Sequence, residues 1–250
     1  MNKVSIITPY IFEDEIKHLK QSSLYLDIDF IFEEDSAKIG CDLMYQKLWK
    51  KADPNDIIIL HSDMDFIDGI ENWFESLTSY VTKYPKTGIF GCKLLYPLKN
   101  KDGQPLIQSA GGKFSENGNP EHFGSGIDVF SHKTFKQVEP DEGQYDCVRE
   151  VAWTTFGGLY IRRQVLNDVG DFDPSFEWTY NRDVDYCLST RKKGWKIYQV
   201  PTPLYHFESK DIKRIRTQSN IDAEQRNLSK LLLKWKGSEF YKTLDIKVDD

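Results

Sequence analysis

Long apolar runs are missing from this sequence: no stretch approaches the roughly 20 residues that cross a bilayer. The N-terminal "MNKVSIITPY" carries too short an apolar run, and no small-residue cleavage site, to read as a signal peptide. Cysteine is scarce. Its four copies, Cys41, Cys92, Cys147 and Cys187, lie far apart and form no CxxC pair, which argues against a zinc or disulfide framework and for free thiols in a reducing compartment. Positive charge is also short. With a net charge of -6 the chain has no general affinity for nucleic acid, so a polyanionic ligand would have to be met by a local basic cluster or a metal ion. Internal repeats are absent too. The expectation is a soluble, cytoplasmic protein.

What is present is enough for one sizeable core: 250 residues, 39% hydrophobic and 14% aromatic. Short apolar runs alternate with amphipathic stretches through the first half. "KVSIIT", "DFIFEED", "IIIL" and "GIFGCKLLYP" read as strands, and residues 13–26, "CDLMYQKLWKKA" and "IENWFESLTSYVTKYP" as helices. That rhythm predicts an α/β fold, with a mostly parallel sheet and helices on both faces. Residues 97–146, rich in Gly, Pro, Asn and Asp, read as an irregular insertion carrying short hairpins. Strand–helix alternation then returns, and a basic, helical segment follows from Lys210, ending in "DIKVDD", which is expected to fray. The expected division is a single domain over 1–210 with a C-terminal helical extension, 211–250, packed on it or partly mobile.

The ends of three strands are polar: Thr8-Pro9, Glu33-Glu34-Asp35, and His61-Ser62-Asp63-Met64-Asp65. In open α/β sheets ligands bind beyond the carboxyl ends of the strands, where strand order reverses. Converging carboxylates repel unless a cation sits among them, and hard oxygen ligands favour Mg²⁺ or Mn²⁺. Asp63 and Asp65 are therefore candidates to hold a divalent ion that in turn holds a diphosphate. Acids after a strand also cap helices, so this pattern alone leaves both readings open.

The second half is more specific. "FGGLYIRRQVLNDVGDFDPSF" and "NRDVDYCLSTRKKGWKIYQVPTPLYHFES" resemble the C-terminal signature of family 2 glycosyltransferases of the GT-A fold. "VSIITPY", "YQKLWKKADPNDIIILHSD", "GCKLLYP" and "IQSAGG" follow the same family's order, the last two resembling a bacterial-type surface-polysaccharide and rhamnosyltransferase-like subgroup. The likeness runs over roughly residues 3–210. It implies a GT-A (Rossmann-like) domain and an inverting, metal-dependent glycosyltransferase. Such an enzyme would use a UDP- or dTDP-sugar and a hydroxyl of a glycan, lipid-linked or glycoprotein acceptor.

Position by position, the resemblance implies that Thr8, Pro9 and Glu33 line the nucleoside pocket, with Asp35 a further candidate and Ser62 and Asp63 also binding the donor nucleotide. His61 replaces the first acid of the family's DxD motif, and Asp65 lies beyond that motif. His206 of "LYHFES" would complete the metal shell, and an imidazole ligand tilts the choice from Mg²⁺ towards Mn²⁺. Asp183 matches the family's general base, with Asp185 the alternative if the register is shifted. Arg182 stands where the family usually has Glu, which bears on acceptor recognition. Gly157 and Gly158 would let the backbone approach the donor sugar, or merely kink a strand edge. Trp153 and Trp178 would stack on sugars unless buried. Lys213, Arg214 and Arg216 would close over the diphosphate or begin a solvated helix. The basic C-terminal helix would pack on the core or touch a membrane surface peripherally.

Two other readings compete. A sugar-phosphate nucleotidyltransferase would need a Gly-rich loop after the first strand, where "TPYIFEDE" has none. A catalytically silent nucleotide-sugar or carbohydrate-binding protein would explain Arg182 and the missing acid, but would not need a base at Asp183.

Overall fold

The computed structural model describes residues 2–125, 138–177, 180–207 and 217–248. The strands are β1 (Val4–Tyr10), β2 (Asp29–Glu34), β3 (Asp56–Ile59), β4 (Met64–Phe66), β5 (Thr87–Lys99), β6 (Pro105–Ser109), β7 (Gly112–Phe114), β8 (Pro120–His122), β9 (Arg149–Val151), β10 (Leu159–Ile161), β11 (Lys196–His206) and β12 (Asp245–Lys247). The helices are α1 (Glu13–Ser22), α2 (Cys41–Lys51), α3 (Ile70–Lys83), α4 (Arg163–Val169), α5 (Arg182–Lys192) and α6 (Gln218–Trp235).

Ten strands form one sheet in the order β12-β9-β11-β5-β10-β3-β1-β2, with β4 added on β11 and β6 on β5. The α/β, single-domain expectation holds, and the sheet is mixed. Parallel pairs β1–β2, β1–β3 and β5–β11 are joined through β10, which runs antiparallel to both β3 and β5. Strand order reverses at β1, which sends the chain to β2 on one side and receives β3 on the other. The crevice that such a reversal opens lies above Thr8, Glu33 and His61.

The period-two alternation of the strands sorts the core into two layers. Ile7, Ile57, Ile59, Ile89 and Ile161 face α2, α4, α5 and α6, whose Leu48, Val165, Val184 and Leu231 complete that layer. Ile6, Ile58, Leu60, Phe90 and Tyr160 face α1 and α3, which contribute Ile16, Leu19, Trp73, Leu77 and Val81. The spacings of these helical residues are those of one buried face, which is why the helices were legible as such.

The long insertion is tied down by charge. Lys93, buried on β5, donates to Asp141 at 2.9 Å and pairs with Asp146. Part of the segment expected to fray is a strand: Asp245–Lys247 forms β12 on β9, where Arg149 pairs with Asp245. Helix α6 is fastened to α5 through Asp185, which accepts from Trp235 Nε1 at 2.8 Å and pairs with Lys234 at 2.9 Å. Asp185→Ala leaves the buried indole N–H without a partner. It should destabilise the chain by about 1–3 kcal/mol, read as an earlier urea midpoint with an unchanged m-value.

Candidate active site

The register of the central strands assembles the first part of the site. Thr8 lies beside Phe32, Pro9 beside Glu33 and Ile7 beside Ile59, so the polar ends of β1, β2 and β3 emerge side by side. Thr8 is fully buried and its Oγ1 has no hydrogen-bond partner among the described residues. Glu33 is gripped by Lys47 and Lys51, one helical turn apart on α2, and these two ammonium groups hold its carboxyl below the usual range. Asp35 is buried in a different role. Its two oxygens accept from the backbone of Ile39 and Gly40, each at 2.9 Å, and so shape the loop that starts α2.

Past β3 the chain turns through His61, Ser62 and Asp63 into the short β4, whose pairing on β11 brings His206 alongside. Ser62 and Asp63 are buried. His206 Nε2 lies 3.1 Å from Asp63 Oδ1 and 3.2 Å from His61 Nδ1. The opposite nitrogen of His206, Nδ1, is 2.6 Å from Gln108 Oε1 and therefore carries the proton, leaving the Nε2 lone pair aimed at Asp63 and His61. Burial holds His61 near a pKa of about 4, hence neutral. One donor atom from each of His61, Asp63 and His206 falls within 4.8 Å of the other two.

Facing lone pairs of this kind need a cation or a proton between them. Neighbouring ligands of an octahedral ion with bonds of about 2.1 Å sit roughly 3.0 Å apart, so the donor set fits a divalent metal. Two imidazoles with one carboxylate suit Mn²⁺ better than Mg²⁺. Asp65 does not join this group. It is exposed on β4, and its carboxylate accepts from Phe66 N at 2.8 Å.

Gln108, on β6, is a residue the motif reading missed, because nothing in "LIQSAGG" marks it as the orienting partner of a histidine 98 positions away. Gln108→Ala releases the His206 ring and should lower Mn²⁺ affinity by about 10–100-fold, measured by the loss of free Mn²⁺ signal in EPR titrations.

The two glycines are placed by packing. A Cβ on Gly157 would come within 3.0 Å of His61 Cε1 and 2.6 Å of Met64 Cε, so glycine here leaves the His61 ring its place. Gly158 adopts a φ of +69°, and a Cβ there would meet Leu204 Cδ1 at 2.8 Å. Trp153 is buried, donates to Lys113 O at 3.1 Å and covers Gly112, so its ring is part of the wall that carries the insertion.

Asp183 opens α5. The two residues before this helix, Tyr180 and Asn181, both have left-handed backbones, with φ of 63° and 64°. Such a pair needs support, and α6 supplies it: the buried Asn227 accepts from Glu177 N at 2.8 Å and donates to the carbonyls of Glu177 and Tyr180. Asp183 Oδ1 accepts from Val184 N at 2.9 Å, and burial raises its carboxyl to a pKa of about 6. Asp185, the alternative base, has both oxygens committed to Lys234 and Trp235. The α5 and metal sides of the cleft meet at α2, where Asp42 neighbours Arg182 and Tyr45 lies flat on His61, ring centroids 6.0 Å apart. Trp178, Lys213, Arg214 and Arg216 lie outside the described residues.

The sheet order, with the structural likeness that follows, shows the GT-A fold, and the resemblance drawn from the motifs is borne out at the level of the fold. GalNAc-T7, whose crystal structure contains UDP, GalNAc and Mn²⁺, superposes with a TM-score of 0.61 at 12% identity, over 96% of this chain and 49% of that one. The O-antigen biosynthesis protein RfbC of Myxococcus xanthus is 26% identical over 161 residues, 64% of this chain. The match spans 11% of that much longer protein. No family model matches the chain. Among the described residues no helix is long and apolar enough to cross a membrane.

Proposed function

We propose that this chain is an inverting, metal-dependent glycosyltransferase that moves a sugar from a UDP- or dTDP-sugar to a hydroxyl of a glycan, lipid-linked or glycoprotein acceptor. The observation that carries the proposal is the meeting of His61, Asp63 and His206 donor atoms beside the strand-order reversal. The likeness to GalNAc-T7 with its UDP, GalNAc and Mn²⁺ supports the donor class, and the RfbC relative supports a surface glycan as destination.

In this reading Thr8, Pro9 and Glu33 receive the nucleoside, and the unpartnered Thr8 Oγ1 gains a hydrogen bond when it arrives. His61, Asp63 and His206 would hold the ion, which would supply positive charge to offset that on the departing diphosphate. Asp183 takes the proton of the acceptor hydroxyl as that oxygen attacks the anomeric carbon from the face opposite the leaving group, and one such displacement inverts the centre. A carboxyl poised near pH 6 is ionised at neutral pH yet basic enough to accept that proton.

The test is a donor screen. Release of nucleoside diphosphate from UDP-, dTDP- and GDP-sugars is followed with Mn²⁺ or with EDTA. One donor consumed only with metal is the expected result. Failure to bind any nucleotide sugar would overturn the proposal. Donor binding without turnover on any acceptor tried would instead favour the binding-protein reading.

A further inference from the structure

Arg182 is 4% exposed, yet its donors are largely unspent. Only Nη2 is engaged, by the carbonyl of Phe176, and neither Nε nor Nη1 has a hydrogen-bond partner among the described residues. The nearest carboxylate, Asp42 on α2, has its Oδ2 4.0 Å from Nε, too far for a hydrogen bond, and that oxygen is itself unpartnered. A buried guanidinium with open N–H groups carries a cost that evolution ordinarily removes by pairing or replacement.

The surroundings explain why Asp42 does not cancel the charge. Burial and the nearby Asp183 push the Asp42 carboxyl up to about 7, so at neutral pH it is only partly ionised. Arg182 also sits in the first turn of an eleven-residue helix, whose free N–H groups add positive potential at the same end. The titratable groups facing Arg182 are Asp42 and Asp183, with Tyr45 beyond Asp42. Cation and open donors therefore lie next to the residue assigned to proton abstraction, on the acceptor side of the cleft.

We propose that Arg182 forms an oxyanion subsite, so that the acceptor is an acidic sugar whose carboxylate or phosphate oxygens take up the open donors of its guanidinium. The proposal rests on the glycosyl-transfer reading above and adds to it the acceptor's charge. A planar guanidinium suits either oxyanion, and the two share the same chemistry.

Ligand-observed NMR titrations of the full chain test it with three probes: methyl β-glucuronide, glucose 6-phosphate and methyl β-glucoside, each with and without UDP and Mn²⁺. One or both charged probes should bind at least about tenfold more tightly than the glucoside, and which one does so names the oxyanion. The preference should vanish in Arg182→Gln and survive only in part in Arg182→Lys, which keeps the charge and loses the fork. If Arg182→Gln does not fold, the Lys variant decides, and an undiminished preference there overturns the proposal. Equal binding of all three probes to the native chain also overturns it. A native chain that prefers the charged probes but binds no UDP would overturn the glycosyl-transfer reading while leaving the oxyanion subsite standing.

Discussion

Asp183→Asn should lower the rate of sugar transfer by about 10²–10⁴-fold, the range over which a positioned general base acts. An amide fills the same space and still accepts from Val184 N, but it cannot take the acceptor's proton. On the proposed glycosyl-transfer reading the native chain should show the matching pH dependence. A base at Asp183 would work only when ionised, and burial sets its pKa at about 6. The rate should therefore fall tenfold per pH unit well below pH 6 and level off above it. Stability has the opposite sign. A carboxyl whose folded pKa is raised loses stability as pH climbs from its unfolded value near 3.8 through about 6. At pH 8 the Asn variant should accordingly melt no earlier than the native chain, which separates lost chemistry from lost folding. A rate that is insensitive to Asp183→Asn would place the base elsewhere.

Asp63→Ala should have the second large effect. Asp63 is the one carboxylate among the three converging side chains, so its removal takes away the anionic ligand and leaves two imidazoles. Mn²⁺ affinity should drop by more than the roughly 10–100-fold expected of losing an orienting partner such as Gln108. Turnover should follow metal occupancy: EDTA abolishes it in the native chain, and excess Mn²⁺ restores it in Asp63→Ala only at much higher concentration. Asp65→Ala is the informative companion. Asp65 faces solvent and the Phe66 amide, so its replacement should leave Mn²⁺ affinity nearly unchanged. A metal affinity that falls with Asp65 and not with Asp63 would reverse the assignment of ligands.

Those expectations show where the sequence was informative and where it was not. Local periodicity located the strands and helices of the two core layers, because a residue's burial follows from its neighbours a few positions away. The structure has Asp63 in the turn after β3, His206 at the end of β11 and Asp183 in the first turn of α5, the segments in which the motifs put them. Contacts between distant segments were not legible. Nothing near Glu33 announces that Lys47 and Lys51 will grip it, and nothing near Asp35 says it will shape the loop into α2. His61 was seen as a substitution for an acid, but its place beside His206 depends on β4 pairing with β11. Asp65 differs from Asp63 by two positions, a spacing that shares a face within one strand, but Asp63 lies in the turn before β4 and Asp65 within β4. The readings of Asp185 as base or helix residue were separable only once Lys234 and Trp235 were seen on it.

The support of α5 by α6 also orders events during synthesis. When the nascent chain has emerged from the ribosome as far as β11, His61, Asp63, Gln108 and His206 are all outside it and can meet. The helix bearing Asp183 and Arg182 then still lacks Asn227, Lys234 and Trp235, which brace its entry loop and its first turn. The nascent chain thus brings His61, Asp63 and His206 together before α6 braces the entry to α5.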